Sequence, residues 1–173
     1  TKESNLKRRL RRHLKNLGFE RSEDGSLQAA GSGKEIVRAL HGPQRQERLK
    51  SHKSFISSKG SELIKYFASG HEVNPEKISP VLQRGKSGTL EGDLFRFASL
   101  TWSVPVSNGF GRRLRYLIWD EQNGKLIGLI AIGDPVFNLA VRDDLIGWNS
   151  NDRINRLVNI MDAYVLGALP PYN

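Results

Sequence analysis

The residues best suited to chemistry are carboxylates and arginines in the last third of the chain. Arg142-Asp143 lies shortly before Trp148 and Arg153, and Asp134 follows an apolar stretch that is typical of a β-strand. A carboxylate held by arginine can act as a base or bind a metal. The alternative is a structural Arg–Asp pair, with Asp134 as a turn residue. Asp143, Arg142 and Asp134 are therefore the candidate catalytic residues.

A second cationic motif precedes this region. Gly109-Phe-Gly-Arg-Arg113 combines two glycines with Arg112 and Arg113. Flexible backbone beside paired guanidinium groups suits phosphate binding. The alternative is a tight loop with solvated cations.

The N-terminal segment carries the excess positive charge of the chain. Residues 1–60 contain 15 Lys/Arg and 6 Asp/Glu, whereas the remainder contains 12 of each. Leucines 6, 10, 14 and 17 recur at helical spacing, and Gly18 follows as a helix terminator. The other faces of this helix carry the candidate nucleic-acid-binding residues Lys7, Arg8, Arg9, Arg11, Arg12 and Lys15. The pattern predicts contact with nucleic-acid phosphates, with a solvated helix face as the alternative.

Several classes of site are excluded or disfavoured. The 173-residue chain has no cysteine, which excludes disulfides, thiol catalysis and thiolate zinc sites. Phosphate-binding Gly-rich loops and the common hydrolase motifs are also absent. Four histidines are scattered through the first half without a ligand spacing, so we predict no metal site. No apolar run is long enough for a membrane span, so we expect no membrane partner.

Helical patterns dominate residues 1–70. A capping-box spacing from Ser32 to Glu35 opens a second short helix that ends at Gly42-Pro43. A third helix is predicted through Leu49 towards Ile56, and a fourth over residues 61–68. We therefore divide the chain into a basic helical segment at 1–70, a linker at 71–88 with one short strand, and a core at 89–173.

The core reads as mixed α and β. A helix is predicted around residues 90–98, and Asn149-Ser150 caps a later one. Arg113–Trp119, an Asn-Gly turn and Lys125–Ile132 form a predicted hairpin. The second strand is apolar on both faces, so it should be central. Its other neighbour is either Leu100–Val106 or Ala163–Leu169. The predicted fold is α+β: a helical segment, then a mixed, mostly antiparallel sheet with flanking helices.

The core resembles the DruA family of the Druantia anti-phage defence systems. The segments that carry the resemblance are Leu94–Ala98, Thr101–Arg113, Lys125–Gly128, Gly133–Asn138, Arg142-Asp143, Ile146–Trp148, Arg153 and Met161–Tyr172. The resemblance implies a bacterial, cytoplasmic defence protein that works with other subunits of its system. Members of this family normally continue past Pro-Pro-Tyr, so we expect this chain to be an N-terminal piece of a longer protein.

The order of elements is also similar to the GNAT acyltransferase core. That analogy implies an acyl-CoA site in a segment beyond Asn173, and it places Pro170-Pro171-Tyr172 beside Gly133-Asp134. Two function classes follow. One is a defence protein with a nucleic-acid-binding arm and a GNAT-like catalytic body. The other is a non-enzymatic DNA-binding or assembly subunit.

Overall fold

The computed structural model describes residues 2–29, 33–106 and 109–173, and it divides into two compact units. Unit 1 consists of residues 1–53 together with Trp102–Pro105. Unit 2 consists of residues 54–101 and 106–173.

Unit 1 is built from short helices and one small hairpin. Its elements are α1 (Lys2–Asn16), β1 (Phe19–Arg21), β2 (Leu27–Ala29), α2 (Lys34–Leu40) and α3 (Gly42–Ser51). Gly18 follows α1 with a φ of 83°, which confirms it as the predicted terminator, since few other residues adopt this backbone conformation. The antiparallel β1–β2 hairpin was not predicted, because strands of three residues leave almost no period in the sequence.

One expectation for unit 1 is confirmed and another needs correction. Three of the four leucines at helical spacing lie on α1 as predicted, and two of them, Leu6 and Leu10, are about half exposed. The helix that we predicted through Leu49 towards Ile56 is broken at His52, where α3 ends and the next helix begins. Ser32, the predicted cap of α2, lies outside the described residues, and Gly33 occupies the N-cap position.

Unit 2 contains the main sheet and its helices. Its longer elements are α4 (Lys53–Leu63), β3 (Pro80–Gly85), α5 (Leu90–Ser99), β4 (Arg113–Asp120), β5 (Lys125–Gly133), α6 (Ala140–Ile146), α7 (Ser150–Arg156) and β6 (Asp162–Ala168). Single 3₁₀ turns cover Ile64–Tyr66, Gly70–Glu72, Pro75–Lys77 and Leu157–Asn159. The short strand predicted inside residues 71–88 is β3.

The sheet is an antiparallel meander in the order β3-β4-β5-β6. The predicted hairpin is confirmed, with Leu117 of β4 opposite Leu129 of β5. As predicted, β5 is central, and its second neighbour is β6. Leu126, Leu129 and Ala131 of β5 are fully buried, whereas Ile130 and Ile132 on the other face are half-buried. The fold is thus α+β, as expected.

The core of unit 2 lies where α5 packs on the sheet. Leu94 and Ala98 of α5 are completely buried, and Phe95 is nearly so. Thr89 caps this helix by accepting a hydrogen bond from the backbone N–H of Gly92. On the sheet, the side chains of Leu117, Leu126, Leu129 and Val165 are buried. The strands β4, β5 and β6 that carry them are paired along their length, and this pairing positions the loops at the sheet edges.

The segment at residues 100–106 was predicted as a possible strand and is not one. Its described residues contain turns and bends, and Trp102–Pro105 belong to unit 1. Both edges of β5 are already paired, and Pro105 lacks an N–H for a sheet hydrogen bond.

The end of the chain also differs from expectation. In the antiparallel pairing of β5 and β6, Gly133 lies opposite Asp162 and Gly128 lies opposite Ala168. Residues 170–172 therefore lie near the turn between β4 and β5 rather than beside Gly133-Asp134.

In the described parts of the chain, no helix is both long and apolar enough to cross a membrane.

Candidate functional site

Asp143 lies at the centre of a charge cluster in unit 2. Its side chain sits in the first turn of α6 and is only 3% exposed. Arg142 donates from Nε and Nη2 to Oδ1, at 2.9 and 2.6 Å, and Arg153 donates from Nη1 to Oδ2 at 3.0 Å. Gly147, with a left-handed φ of 70°, ends α6 and lets Trp148 donate its N–H to the Asp143 carbonyl. The predicted grouping of these residues is confirmed.

Both arginines of this cluster have further partners. Arg142 donates to the backbone carbonyls of Val136 and Phe137, at 2.7 and 3.0 Å, and Arg153 donates to the Ser150 hydroxyl at 2.9 Å. The guanidinium of Arg142 also lies 5.8 Å from the Trp148 ring. The cluster therefore fixes the loop after β5 to α6 and α7.

The charge state of Asp143 follows from these contacts. Burial acts to raise the pKa of its carboxyl, but the hydrogen bonds and charges of Arg142 and Arg153 outweigh it and hold the pKa below the usual value. A carboxylate with a lowered pKa is a weak proton acceptor. The arrangement suits a fixed negative charge better than a general base.

Asp134 makes a second pairing at the end of β5. Its Oδ2 accepts the backbone N–H of Arg112 at 2.7 Å, and its Oδ1 accepts Nε of Arg112 at 2.6 Å. The backbone N–H, followed by the guanidinium, lowers the pKa of Asp134. Gly111 has a φ of 86°, and a Cβ there would lie 2.5 Å from Oδ2 of Asp134. The glycine of the Gly-rich motif therefore permits this close approach.

A pocket of about 450 Å³ lies between the two pairings. Arg112 and Asp134 meet Arg153 there, while Asp143 and Arg142 do not line it. The pocket residues are Arg112, Asp134, Pro135, Phe137, Arg153, Ile154, Leu157 and Val158. The structure thus brings three of the sequence-selected charged residues to one place, beside an apolar wall. The catalytic role of Asp143, Arg142 and Asp134 stays a prediction.

The two arginines of the Gly-rich motif have different surroundings. Arg112 donates to the Val158 carbonyl at 2.8 Å in addition to Asp134. Arg113 lies 4.2 Å from the centre of the Tyr164 ring. Phosphate binding by Arg112 and Arg113 stays a prediction, and the geometry connects only Arg112 with the pocket.

The basic helix α1 is the second candidate surface. All six predicted nucleic-acid-binding residues, Lys7, Arg8, Arg9, Arg11, Arg12 and Lys15, are exposed. Lys7 pairs with Glu3 at 2.8 Å, and Arg8 donates to Oδ1 of Asn5 at 3.1 Å. Glu3 is the only acidic residue of this helix. The cations of α1, which belongs to unit 1, are therefore accessible to an anionic partner.

Sequence reasoning missed a buried carboxylate at the other end of the sheet. Asp120 is completely buried, and its Oδ1 accepts backbone N–H groups from Ser79 and Gln122. Its Oδ2 accepts the Tyr172 hydroxyl at 2.9 Å, and Asn123 donates to that hydroxyl at 2.8 Å. Burial, together with the Asp120 charge, raises the pKa of Tyr172. The only sequence signal for a role of Asp120 was its position at the start of the turn that ends in Asn123-Gly124.

A metal site is not apparent in residues 2–29, 33–106 and 109–173. No three histidine or carboxylate side chains there come close enough together to hold an ion.

Comparison with known proteins identifies the family. The family model described as Druantia protein DruA matches residues 31–173. The chain belongs to the DruA family. It is 68% identical over 172 residues to Druantia protein DruA of Escherichia coli (strain UMEA 4076-1), covering 99% of this chain. DruA is a component of the Druantia anti-phage defence systems. The resemblance noted in the sequence is confirmed.

The comparison covers less than half of the relative. The chain spans 43% of the length of the Escherichia coli DruA protein. No solved structure matches the chain. The likeness to the GNAT core and the associated acyl-CoA site beyond Asn173 therefore stay predictions for DruA proteins.

Proposed function

We propose that this DruA-family chain serves anti-phage defence by contacting nucleic acid through α1. The observation that carries the proposal is the exposure of Lys7, Arg8, Arg9, Arg11, Arg12 and Lys15 on a helix with a single acid. Nucleic acid is the polyanion that a defence protein meets during phage infection. Neutralisation of its phosphates by lysine and arginine releases bound counterions, which drives binding without regard to sequence.

The distribution of charge between the units supports α1 as the contact. Unit 1 contains 14 Lys/Arg and 6 Asp/Glu, whereas unit 2 contains 13 and 12. A nearly neutral unit 2 gives little non-specific attraction to phosphates. Most of the long-range attraction is therefore assigned to unit 1.

The test replaces Arg8, Arg9, Arg11 and Arg12 together with alanine. Affinity for labelled DNA of random sequence, measured by fluorescence anisotropy, should fall by about tenfold or more at low salt. Alanine favours helix, so circular dichroism should show that α1 is retained.

The matched control removes four exposed cations from unit 2: Lys65, Lys77, Arg84 and Lys86 to alanine. Its net charge equals that of the α1 variant, and its affinity should stay within about twofold of the parent chain. Equal losses in both variants would show that total charge, and not α1, governs binding. Unchanged DNA affinity in both variants would contradict the proposal.

A second proposal is that unit 2 acts in assembly with other Druantia subunits. The observation in its favour is an apolar surface on α6, where Val141 and Leu145 are 78% and 88% exposed. Exposed apolar residues that cluster mark interaction surfaces more often than chance positions do. Val141→Asp with Leu145→Asp should abolish co-purification with other subunits of the system, whereas DNA affinity should not change. Unchanged co-purification would reject this role.

A further inference from the structure

A shallow pocket in unit 1 combines an aromatic ring, aliphatic side chains and cations. It has a volume of about 370 Å³. Helix α2 contributes Lys34, Val37 and Arg38, and the segment Trp102–Pro105 contributes Trp102, Ser103 and Val104. Small-molecule sites have volumes of about 300–1,000 Å³, so one nucleotide is within the capacity of this pocket.

The side chains divide into an apolar floor and a cationic rim. Val37 and Val104 are 48% and 44% exposed, and Trp102 is half-buried. Lys34 and Arg38 are exposed, and Arg38 is joined to Glu35 of the same helix at 2.9 Å. Lys34 and Arg38 are four residues apart, so they share one face of α2. An apolar surface next to cations matches a flat base joined to a phosphate.

We propose that the Trp102 pocket binds an unpaired base of single-stranded nucleic acid. Stacking of a base on an aromatic ring tolerates any sequence, because each base has a π-face. In a duplex the faces of the bases are already stacked, so a side chain fixed in a pocket reaches only their edges or the backbone. Lys34 and Arg38 lie where they contact the adjoining phosphates.

This inference rests on the proposed function, because α1 supplies the attraction that brings a strand to unit 1. The two surfaces have different roles. The cations of α1 give affinity for any nucleic acid, and the Trp102 pocket gives preference for single strands. The preference is absent from the charge pattern alone, since phosphates occur in both forms.

The test compares single-stranded and duplex DNA of the same length and random sequence. Trp102→Ala in the 173-residue chain should weaken binding of the single strand by about tenfold, with duplex binding within about twofold of the parent. The slope of log affinity against log salt should stay the same for this variant, because no cation is removed.

Two further variants keep the test decisive. Trp102→Leu retains apolar volume and removes the ring, so it should also lose the single-strand preference, and it replaces the alanine variant if that one does not fold. Trp119→Phe changes a tryptophan of unit 2 that lies outside the Asp143 cluster, and it should have no effect on either ligand.

The outcomes separate the two proposals. A loss of about tenfold or more in the α1 variant, with unchanged single-strand preference in both Trp102 variants, would overturn the pocket and leave the proposed function intact. Normal binding in every variant would overturn both.

Discussion

Asp143 carries the negative charge that two half-buried guanidinium groups share. Asp143→Asn keeps the size of the side chain but removes the carboxylate that pairs with Arg142 and Arg153. We expect the melting temperature to fall by on the order of 5–10 °C. Thermal unfolding followed by circular dichroism measures this fall.

Asp144→Asn is the control, because its side chain is exposed and removes the same charge one residue later. Equal melting temperatures for the two variants would mean that the cluster adds nothing to stability. A fall confined to Asp143 would assign the cluster a structural role, whatever else it does.

The lowered pKa of Glu72 makes the stability of the fold depend on pH. The backbone N–H of Ser69, followed by its hydroxyl and by Lys125, lowers the pKa of Glu72 from 4.5 to about 2. The folded state holds this carboxylate ionised more strongly than the unfolded chain does. Its stabilisation is therefore complete above about pH 4.5 and is lost as the pH falls towards 2.

Glu72→Gln should lower the melting temperature at neutral pH and reduce its decline between pH 4.5 and 2. Glu76→Gln, on the neighbouring turn, is the control for the loss of one charge. A decline of the same steepness in Glu72→Gln and in the parent chain would contradict the assignment.

The Tyr172 hydroxyl bonds to a carboxylate that has no access to water. Tyr172→Phe leaves Oδ2 of the buried Asp120 without this donor and Asn123 without this acceptor. We expect a loss of about 1–3 kcal/mol in the free energy of unfolding, measured with urea. Tyr66→Phe is the control, because the edge-on contact of its ring with Trp119 does not need the hydroxyl. Equal losses would show that the hydroxyl is not the cause.

At the scale of elements, a helix or strand could be predicted from the sequence where it has a clear hydrophobic periodicity and recognisable cap or turn residues. The β4–β5 hairpin has a partly alternating strand, a long apolar strand and an Asn-Gly turn, and α7 begins with the cap that Asn149 provides. Residues 100–106 have strand-forming side chains as well, but their pairing depends on which edges are free. The second edge of β5 is paired with β6, which lies more than 50 residues later in the chain than residue 106, so residues 100–106 have no free edge of β5 to join.

Close packing of β5 on β6 depends on Gly128. A Cβ at this position would lie 2.6 Å from the Gly167 carbonyl oxygen of the neighbouring strand. Gly128→Ala should therefore push the strands apart and cost about 1–3 kcal/mol in the free energy of unfolding. Gly70→Ala is the matched control, since nothing lies within 4 Å of a Cβ there. Urea unfolding of both variants decides the matter, and equal stabilities would exclude the clash.

At the scale of the whole molecule, charge is divided unevenly between the units, and the salt dependence of DNA binding should show it. Each duplex phosphate neutralised contributes about 0.9 to the slope of log affinity against log salt. Alanine at Arg8, Arg9, Arg11 and Arg12 should therefore reduce the size of the slope by up to about 3.6. The unit 2 control with the same net charge should keep the parental slope. Parallel slopes in all three proteins would place the contacts outside α1.

The candidate site could be predicted only in part from the sequence, because some of its contacts join residues that are far apart in the chain. The run Arg142-Asp143 and the nearby Arg153 were close enough in sequence to suggest a cluster. The pairing of Arg112 with Asp134 joins residues 22 positions apart, and that of Asp120 with Tyr172 joins residues 52 apart. Such contacts follow from strand register, which a single sequence does not display.

The discontinuity of unit 1 has a consequence for inheritance. The chain leaves this unit after residue 53, returns for Trp102–Pro105 and leaves again. A recombination event that exchanges residues 1–53 between two family members would therefore carry α2 but leave the recipient's own Trp102 in place. Compatible chimeras need both stretches from one parent. Across DruA genes, substitutions in α2 should accordingly be accompanied by substitutions in this distant tetrapeptide, so the two evolve as one unit of selection.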